Sequence, residues 1–406
     1  MSNAEKKVTR SSERLALAAM GMEAEFNILV DGRPARPEQV FGDPRAFIRQ
    51  PLMHRTGTSY HLPTGGAVYF DTGVIEIATP VIEIDRGCAA RAGRNLWESV
   101  LFLRHELDDW ERRTGREVRL EGFSTHYNVS FEMPRWQQGR SRTVEKLSLL
   151  LSYLLPVPVM ILAANRRSTG IGVRPRGNRI EVTADFTPSA SLMIATGTMI
   201  VGIVREVMTW PTFELSMLDR LKIPVVRDFE PIPHTTRKGW LARGACFSSN
   251  PFEADIDTPT WETRDGRRLS LRGIAGRVVR HFWDPIRRIS DPWTFRLIGS
   301  VMRGRAPSLL ELDDRPPEYE DVGRLCTWDN LFPERELSRS RYERVLTRAI
   351  SGQKLTLDGE RFTPTGMKGW SQVIFRRDQD HSRHVFGIDY LLQHLPDWER
   401  GARRGG

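Results

Sequence analysis

A mixed α+β fold around a largely antiparallel sheet is the architecture this sequence predicts. Strand-like segments recur along the first half, one long helical stretch lies among them, and neighbouring strands are joined by short turns. The first strand is expected at Ala18 to Val30, followed by a Pro- and Gly-rich stretch, read as loop, up to Gly66. A strand pair then spans Ala67 to Glu83. Val68, Phe70, Val74, Ile75 and Ile77 supply its apolar context, so Tyr69, Asp71 and Glu76 among them must face something polar. From about Arg91 to Arg113, Leu96, Val100, Leu101, Leu103 and Leu107 recur near helical spacing. Strands return at Val118 to Glu121 and Tyr127 to Glu132. Two more, Ile171 to Val173 and Arg179 to Thr183, flank the turn Pro175-Arg176-Gly177-Asn178.

Leu147 to Ala164 is apolar enough to suggest a membrane span. Pro156 and Pro158 interrupt it and Ser148, Ser152 and Tyr153 add hydroxyls, so a buried helix, turn and core segment is expected instead. Asp313 to Asp321 is acidic and proline-bearing and reads as a linker. The predicted organisation is a flexible tail over residues 1–15, a main domain over 16–312 and a small C-terminal domain over 319–406.

Composition bounds the partners. Of 406 residues, 39% are hydrophobic and 27% charged, which is the balance of a globular chain and excludes wholesale disorder. Lys and Arg number 60 against 51 Asp and Glu, a net charge of +9 that favours an acidic partner without choosing among nucleotide, nucleic acid and protein. Cys88, Cys246 and Cys326 fit neither a disulfide framework nor a zinc pattern, and a reducing cytoplasm is expected. Arg267 to Arg305 concentrates arginines around Trp283 and Trp293. Phosphate contacts and base stacking are one reading of it, but amphipathic helices with their arginines in water are the expectation, so neither nucleic acid nor membrane is an expected partner.

The polar constellations carry the chemistry. In Gly21-Met22-Glu23-Ala24-Glu25-Phe26, residues two apart on a strand project from one face, so Glu23 and Glu25 point side by side. Two adjacent carboxylates repel, and a hard divalent cation joins them; a solvated strand edge is the bland alternative. His126, Asn128 and Ser130 share one strand face, a row suited to a metal ligand followed by nucleotide contacts. Asn165-Arg166-Arg167-Ser168-Thr169, with Arg174 and Arg176, gathers guanidinium groups able to bind phosphate oxygens bidentately. Arg179 and Glu181 set a cation and a carboxylate on one strand face.

The order of these pieces resembles the glutamine synthetase-like superfamily of carboxylate–amine ligases. There a Glu-x-Glu strand, a His-x-His/Asn-x-Ser strand, an Asn-Arg strand and an Arg-Ile-Glu strand follow one another, as do Glu23 to Glu25, His126 to Ser130, Asn165 to Ser168 and Arg179 to Glu181. Ser152 to Pro158 is similar to the segment that precedes the Asn-Arg strand. A narrower resemblance is to the ligases that attach the small modifier Pup to lysines and to their depupylase relatives. Gly21 to Asn27, Gly65 to Gly73, Ile75 to Thr79 and His126-Tyr127-Asn128 resemble their motifs, over roughly the first half of the chain. Two departures stand out: the interval from Asp71 to Glu76 is one residue shorter, and the glutamine synthetase arginine that holds substrate is here Thr183.

The resemblance implies a curved, largely antiparallel sheet with helices on one face, and an enzyme using ATP and two or more magnesium or manganese ions. It implies activation of a glutamyl carboxylate as an acyl phosphate and its transfer to an amine. The donor would be an acidic small protein modifier or peptide, the acceptor a protein lysine. Glu23, Glu25, Glu76, His126 and Glu181, with Tyr69 as a weaker candidate, would hold metal. Asn128, Ser130, Arg166, Arg174, Arg176 and Arg179 would meet the nucleotide. Asp71 would take the proton from the attacking amine and Arg179 would act on the phosphates; a turn role competes for Asp71. A depupylase-like amidase, a ligase for a small amino acid or peptide, and a basic binding module with a degenerate site are the alternatives.

Overall fold

The computed structural model describes residues 18–130, 143–234, 238–328 and 338–403. The expected tail over 1–15 lies outside them, as do Phe131 and Glu132 of the expected strand.

A 12-stranded antiparallel sheet forms the centre. Its strands are β1 Ala19–Val30, β2 Arg33–Ala35, β3 Met53–Thr56, β4 Ser59–His61, β5 Ala67–Asp71, β6 Val74–Ala78, β7 Ile82–Glu83, β8 Val118–Ser130, β9 Ile171–Arg176, β10 Arg179–Asp185, β11 Ile232–Pro233 and β12 Trp240–Ala242. The spatial order is β11-β12-β9-β10-β8-β1-β6-β5-β4-β3, with β2 and β7 paired to β1. Thus β1 sits in the middle, between β6 and β8. The stretch before Gly66 is less loop-like than its Pro and Gly content suggests, since β2, β3, β4 and a short helix α1 (Pro37–Val40) interrupt it.

Strict alternation along β1 assigns its faces. Met20, Met22, Ala24, Phe26, Ile28 and Val30 are buried on one side, while Gly21, Glu23, Glu25 and Asn27 line the other. The apolar side is covered by helices α2 (Cys88–Thr114), α3 (Thr143–Leu154), α4 (Pro156–Ala163) and α5 (Ala190–Val207). Helix α2 runs between two left-handed glycines, Gly87 and Gly115, and buries Leu96, Val100, Leu103 and Leu107 at helical spacing. Pro156 and Pro158 open α4, where a missing N–H costs little, so the apolar run breaks into two buried helices with a 58° bend between them. Helix α5 was not evident in the sequence. It is long and apolar enough to cross a membrane, yet 83% of its apolar window is buried in this core.

Strand β8 is one strand where two were expected. A bulge opposite Glu25/Phe26 inserts Phe123, so Ser124 pairs with Glu25 while Gly122 pairs with Phe26. The extra residue reverses the parity of the strand. Before it Val118, Leu120 and Gly122 face the helices; after it Thr125, Tyr127 and Val129 do, leaving Ser124, His126, Asn128 and Ser130 on the polar face. Gly122 is required where it stands, because a Cβ there would come within 2.3 Å of the Phe186 ring.

After α6 (Ser216–Arg220) and the hairpin β13 (Trp261–Glu262) and β14 (Arg268–Leu269), helices α7 (Leu271–His281), α8 (Trp283–Ile289) and α9 (Pro292–Val301) carry the arginine-rich segment. Arg277, Arg280, Arg287, Arg288 and Arg296 are exposed on them. The acidic, proline-bearing stretch that follows is laid along β8: Arg315 donates to Gly122 O and Val322 N to Leu120 O at 3.0 Å.

A second hydrophobic cluster is built from α10 (Arg341–Ile350), the four-stranded sheet β15 (Leu355–Leu357), β16 (Glu360–Lys368), β17 (Gln372–Arg377) and β18 (Arg383–Gly387), and helices α11 (Ile388–Gln393) and α12 (Leu395–Arg403). It docks on the large sheet through a buried ion pair, Arg94 to Glu343 at 2.5 Å, and a Tyr342 N to Glu83 Oε1 bond at 3.1 Å. Glu343 also closes a capping box with Ser340 at the start of α10.

Candidate active site

The polar face of the sheet gathers most of the singled-out carboxylates. Cross-strand register places Glu25 opposite Glu76 on β6 and opposite Ser124 on β8, and Glu23 opposite His126. Tyr69 on β5 stands opposite Glu76. Like charges directly opposite one another destabilise a sheet, so these strands are held together against the preference of their own side chains.

Among the described residues two groups of possible ligand atoms result, each with every atom within 4.8 Å of the others: Glu23, Glu76 and His126, and Glu25, Asp71 and Glu76. Glu76 belongs to both. Carboxylate oxygens with one imidazole nitrogen fit magnesium or manganese, the imidazole favouring the latter.

Protonation reports the strain. Burial and the charge of Glu23 push the Glu76 carboxyl up to about 8. For Glu23 burial alone would raise the value, but the hydrogen bond and charge of His126, with Arg179, hold it at about 2. For His126 burial works downward, and the Glu23 hydrogen bond at 3.1 Å and the charges of Glu25, Glu23 and Glu181 override it to about 9. Tyr69 donates to Glu76 Oε1, and burial with the nearby glutamates keeps its phenol protonated well above the ordinary range, so it orients Glu76 as a neutral donor.

A cation held by Glu23, Glu76 and His126 would take Glu76 as carboxylate and His126 as neutral ring, so up to two protons would have to leave. Manganese affinity should therefore rise with pH between 6 and 8, about tenfold per unit for each proton released. Calorimetry in buffers of different ionisation enthalpy counts those protons. A pH-independent affinity would place the metal elsewhere.

Asp71 closes β5. Thr72 and Gly73 form a two-residue hairpin with φ of 53° and 100°, the positive pair of a type I′ turn, which sets Asp71 opposite Val74 and Glu76 opposite Tyr69. The one-residue contraction before Glu76 thus leaves Asp71 near Glu25 and Glu76. Thr72 Oγ1 donates to Asp71 Oδ1 at 2.8 Å.

Two cavities flank the carboxylates. The first, of about 330 Å³, is lined by Gly21, Glu23, Thr79, Asn128, Ser130 and Arg179, with Arg55 and the turn Gly369-Trp370-Ser371 from the C-terminal cluster. Arg179 Nε donates to Asn128 Oδ1 at 2.7 Å, and Ser130 Oγ accepts from Ala19 N at 2.7 Å. Trp370 is steadied by the Arg55 guanidinium 4.9 Å from its ring and by His61 edge-on at 4.9 Å. The second, of about 450 Å³, begins at Glu25, Ser124 and His126 and extends past Arg174, Asp185, Arg167, Arg243 and Arg315.

Other predicted site residues are used differently. Glu181 lies outside both ligand groups: Arg176 grips its carboxylate with two bonds of 3.1 Å and Arg174 pairs with it as well. Arg174 also reaches Thr183 Oγ1 at 3.3 Å and lies 3.5 Å from His126 Nε2. Arg176 lines neither cavity. Arg166 donates to the carbonyls of Leu312 and Glu253, tying loops together away from both.

Sequence reasoning missed Ser124, which donates to Glu25 at 2.5 Å, although it shares the parity of His126. It missed Arg55 and Trp370 as well; a tryptophan in a Gly-Trp-Ser turn was the available signal. Asp185 was also missed. It accepts from Asn165 N at 2.9 Å, Asn165 Nδ2 at 3.0 Å and Ser168 Oγ at 3.0 Å, fixing the Asn-Arg loop.

A curved antiparallel sheet with helices on one face and clustered carboxylates on the other defines the class of fold. Among solved structures, the complex between the prokaryotic ubiquitin-like protein Pup and its ligase PafA matches with a TM-score of 0.52 at 11% sequence identity, over 94% of this chain and 93% of that one. The fold is therefore Pup-ligase-like. No family model matches the chain, and no curated protein does.

Proposed function

We propose that this chain is an ATP-dependent carboxylate–amine ligase of the Pup-ligase type. It would use magnesium or manganese to activate a glutamyl carboxylate and join it to an amine, in a reducing cytoplasm. The carrying observation is the arrangement of two cavities on either side of carboxylates that share Glu76. Nucleotide in one cavity and acyl donor in the other would meet over those ligands. The solved neighbour, a ligase in complex with a ubiquitin-like protein, supports a small protein as donor; an acidic modifier and a protein lysine as acceptor are what the motif resemblance adds.

When bound, the cations would neutralise charge on the transferring phosphoryl group. Glu23, Glu76 and His126 would hold one, and Glu25 with Glu76 another. Arg179 and Asn128 would contact the phosphates, Ser130 and Thr79 the walls beside them. Arg174, buried next to His126, would face the developing charge with a rigid guanidinium. Amide formation from the acyl phosphate requires the amine to shed a proton, and Asp71, grouped with Glu25 and next in sequence to Thr72 of the second cavity's lining, would accept it.

The direct test is incubation with ATP, magnesium and candidate glutamyl donors and amines, reading ADP release and product mass. No ADP, no AMP and no amide change, with Glu23→Ala binding metal–ATP as well as the parent, would end the ligase reading. Cleavage of a preformed isopeptide in place of its formation would favour the amidase alternative.

Trp370 should carry the base. Stacking on an aromatic face contributes about 1–3 kcal/mol per base. Trp370→Ala should accordingly weaken ADP binding by about 10- to 100-fold in calorimetry, while inorganic pyrophosphate binds as before. Equal losses for both would mean that the turn shapes the cavity without meeting the base.

A further inference from the structure

We infer that the arginine-rich helices α7 to α9 form a docking surface for single-stranded nucleic acid, with Arg86, Arg287, Arg288 and Arg296 on its phosphates and the Trp293 indole on one of its bases. The inference goes beyond the ligase reading and does not depend on it. Helices α8 and α9 pack on α5, behind the sheet and on the far side from the carboxylates.

Charge is concentrated there. Between Leu271 and Arg305 eight arginines stand against two aspartates, a net charge of +6 in a chain whose total is +9, and no lysine occurs from Gly239 to Gln353. All of these arginines except Arg272 are exposed, as amphipathic helices require. Four arginines nevertheless converge. Arg287 and Arg288 from the end of α8, Arg296 from α9 and Arg86 from the turn before α2 line one open cavity of about 490 Å³ with Asp291 and Phe295. Arg287 lies 3.4 Å from Asp284 and Arg288 3.4 Å from Glu206, between side chains exposed enough that such pairs contribute little. Among the described residues Arg86 and Arg296 make no ion pair. Asp291 is engaged as the N-cap of α9, accepting from Thr294 N at 2.9 Å. Cations in the last turn of α8 suit the helix dipole, which accounts for Arg287 and Arg288 but not for Arg86 or Arg296.

The aromatic residues choose the partner. Trp293, next to Pro292 of the cavity lining, is 65% exposed, the most of any large apolar side chain among the described residues. An uncovered indole beside guanidinium groups suits a single strand, since every base has a π-face and every phosphate takes a guanidinium fork. A duplex keeps its base faces stacked away, and an acidic polypeptide segment would answer the arginines but leave the indole uncovered. An anionic membrane is disfavoured because the apolar faces of these helices belong to the core. Leu271, Ile274, Val278, Ile286, Ile298 and Val301 are buried, which leaves little beyond Trp293 to enter lipid. The scaffold is set before a ligand arrives. Gly87 N donates to Ile289 O at 2.8 Å and ties the Arg86 turn to α8. The Trp283 and Phe295 rings lie 4.1 Å apart between α8 and α9, and Ile286 is seated on α5 at Gly202, where an added Cβ would come within 2.8 Å of it. A fixed scaffold lowers the ordering cost of binding.

The test is fluorescence anisotropy of the full chain with a labelled single-stranded thymidine oligonucleotide of about 12 nucleotides, a length such surfaces cover, over a series of salt concentrations. Four neutralised phosphates predict a slope of log affinity against log salt of about −2.8. Arg86→Gln combined with Arg296→Gln should flatten that slope by about 1.4. Trp293→Ala should weaken binding by about 5- to 150-fold at any one salt concentration and leave the slope alone, while Trp293→Phe recovers most of the loss. A duplex of the same length should bind Trp293→Ala as it binds the parent. Arg86, Trp293 and Arg296 are exposed, so each variant should melt as the parent does. No binding at about 50 mM salt overturns the inference. So does a slope unmoved by the double substitution, or an affinity indifferent to Trp293. Displacement of the strand by a polyglutamate peptide at equal charge would make this a surface for acidic protein, and displacement by phosphatidylserine vesicles one for membrane; either overturns it. Saturating magnesium and ADP should leave the strand bound, and its release would place it at the carboxylates and equally overturn the inference. No turnover is read, so the outcome is separate from that of the ligase assay.

Discussion

Asp71→Asn should leave metal–nucleotide affinity within about twofold of the parent and lower amide-forming turnover by about 10²- to 10⁴-fold, the usual contribution of a positioned general base. Asparagine matches aspartate in size and cannot take the proton. The side chain is outside the lining of the Trp370 cavity, so nucleotide binding is spared. Its carboxylate lies within 4.8 Å of ligand atoms on Glu25 and Glu76, which leaves a second role open to measurement. Counting manganese ions per chain separates the two. Full occupancy with lost turnover identifies the base; one ion fewer identifies a ligand; unchanged turnover removes Asp71 from the chemistry.

Glu76→Gln should abolish turnover and weaken metal–nucleotide binding by more than about 100-fold, exceeding the 10- to 100-fold typical of losing a mere supporting partner. Glu76 is the residue both ligand groups share, so its loss opens both. Without metal the variant should melt as the parent does at neutral pH. Burial and Glu23 hold the Glu76 carboxyl up to about 8, so the parent carries it protonated there, and glutamine imitates that form. A large drop in the metal-free melting temperature would instead make Glu76 a structural residue.

Much of the site was legible because a strand's period of two is short. Glu23 and Glu25, Tyr69 and Asp71, and Asn128 and Ser130 are each i, i+2 pairs, and each points as its parity dictates. Contacts between distant elements were not legible. That Arg176 and Arg174 neutralise Glu181 depends on the pairing of β9 with β10, and that Trp370 meets Arg55 depends on how the C-terminal cluster docks. The bulge at Phe123 hid the unity of β8, because alternation read across it changes phase. Helix α5 escaped because a helix buried all round shows no amphipathic stripe. The acidic, proline-bearing linker looked like a spacer, since nothing local announces that Arg315 will lie against β8.

The turn Gly369-Trp370-Ser371 gives the first cavity a wall that belongs to the C-terminal cluster, while its floor belongs to β1 and β8. A ligand seated there touches two hydrophobic cores at once and so favours the state in which they are joined. At a hundred times its dissociation constant such a ligand adds about 2.7 kcal/mol to that state. The two parts of the chain would then report nucleotide supply through their cohesion: hydrogen exchange along α10 and at the Gly369-Trp370-Ser371 turn should slow as ADP or ATP is added, with no change at helix α5 behind the sheet.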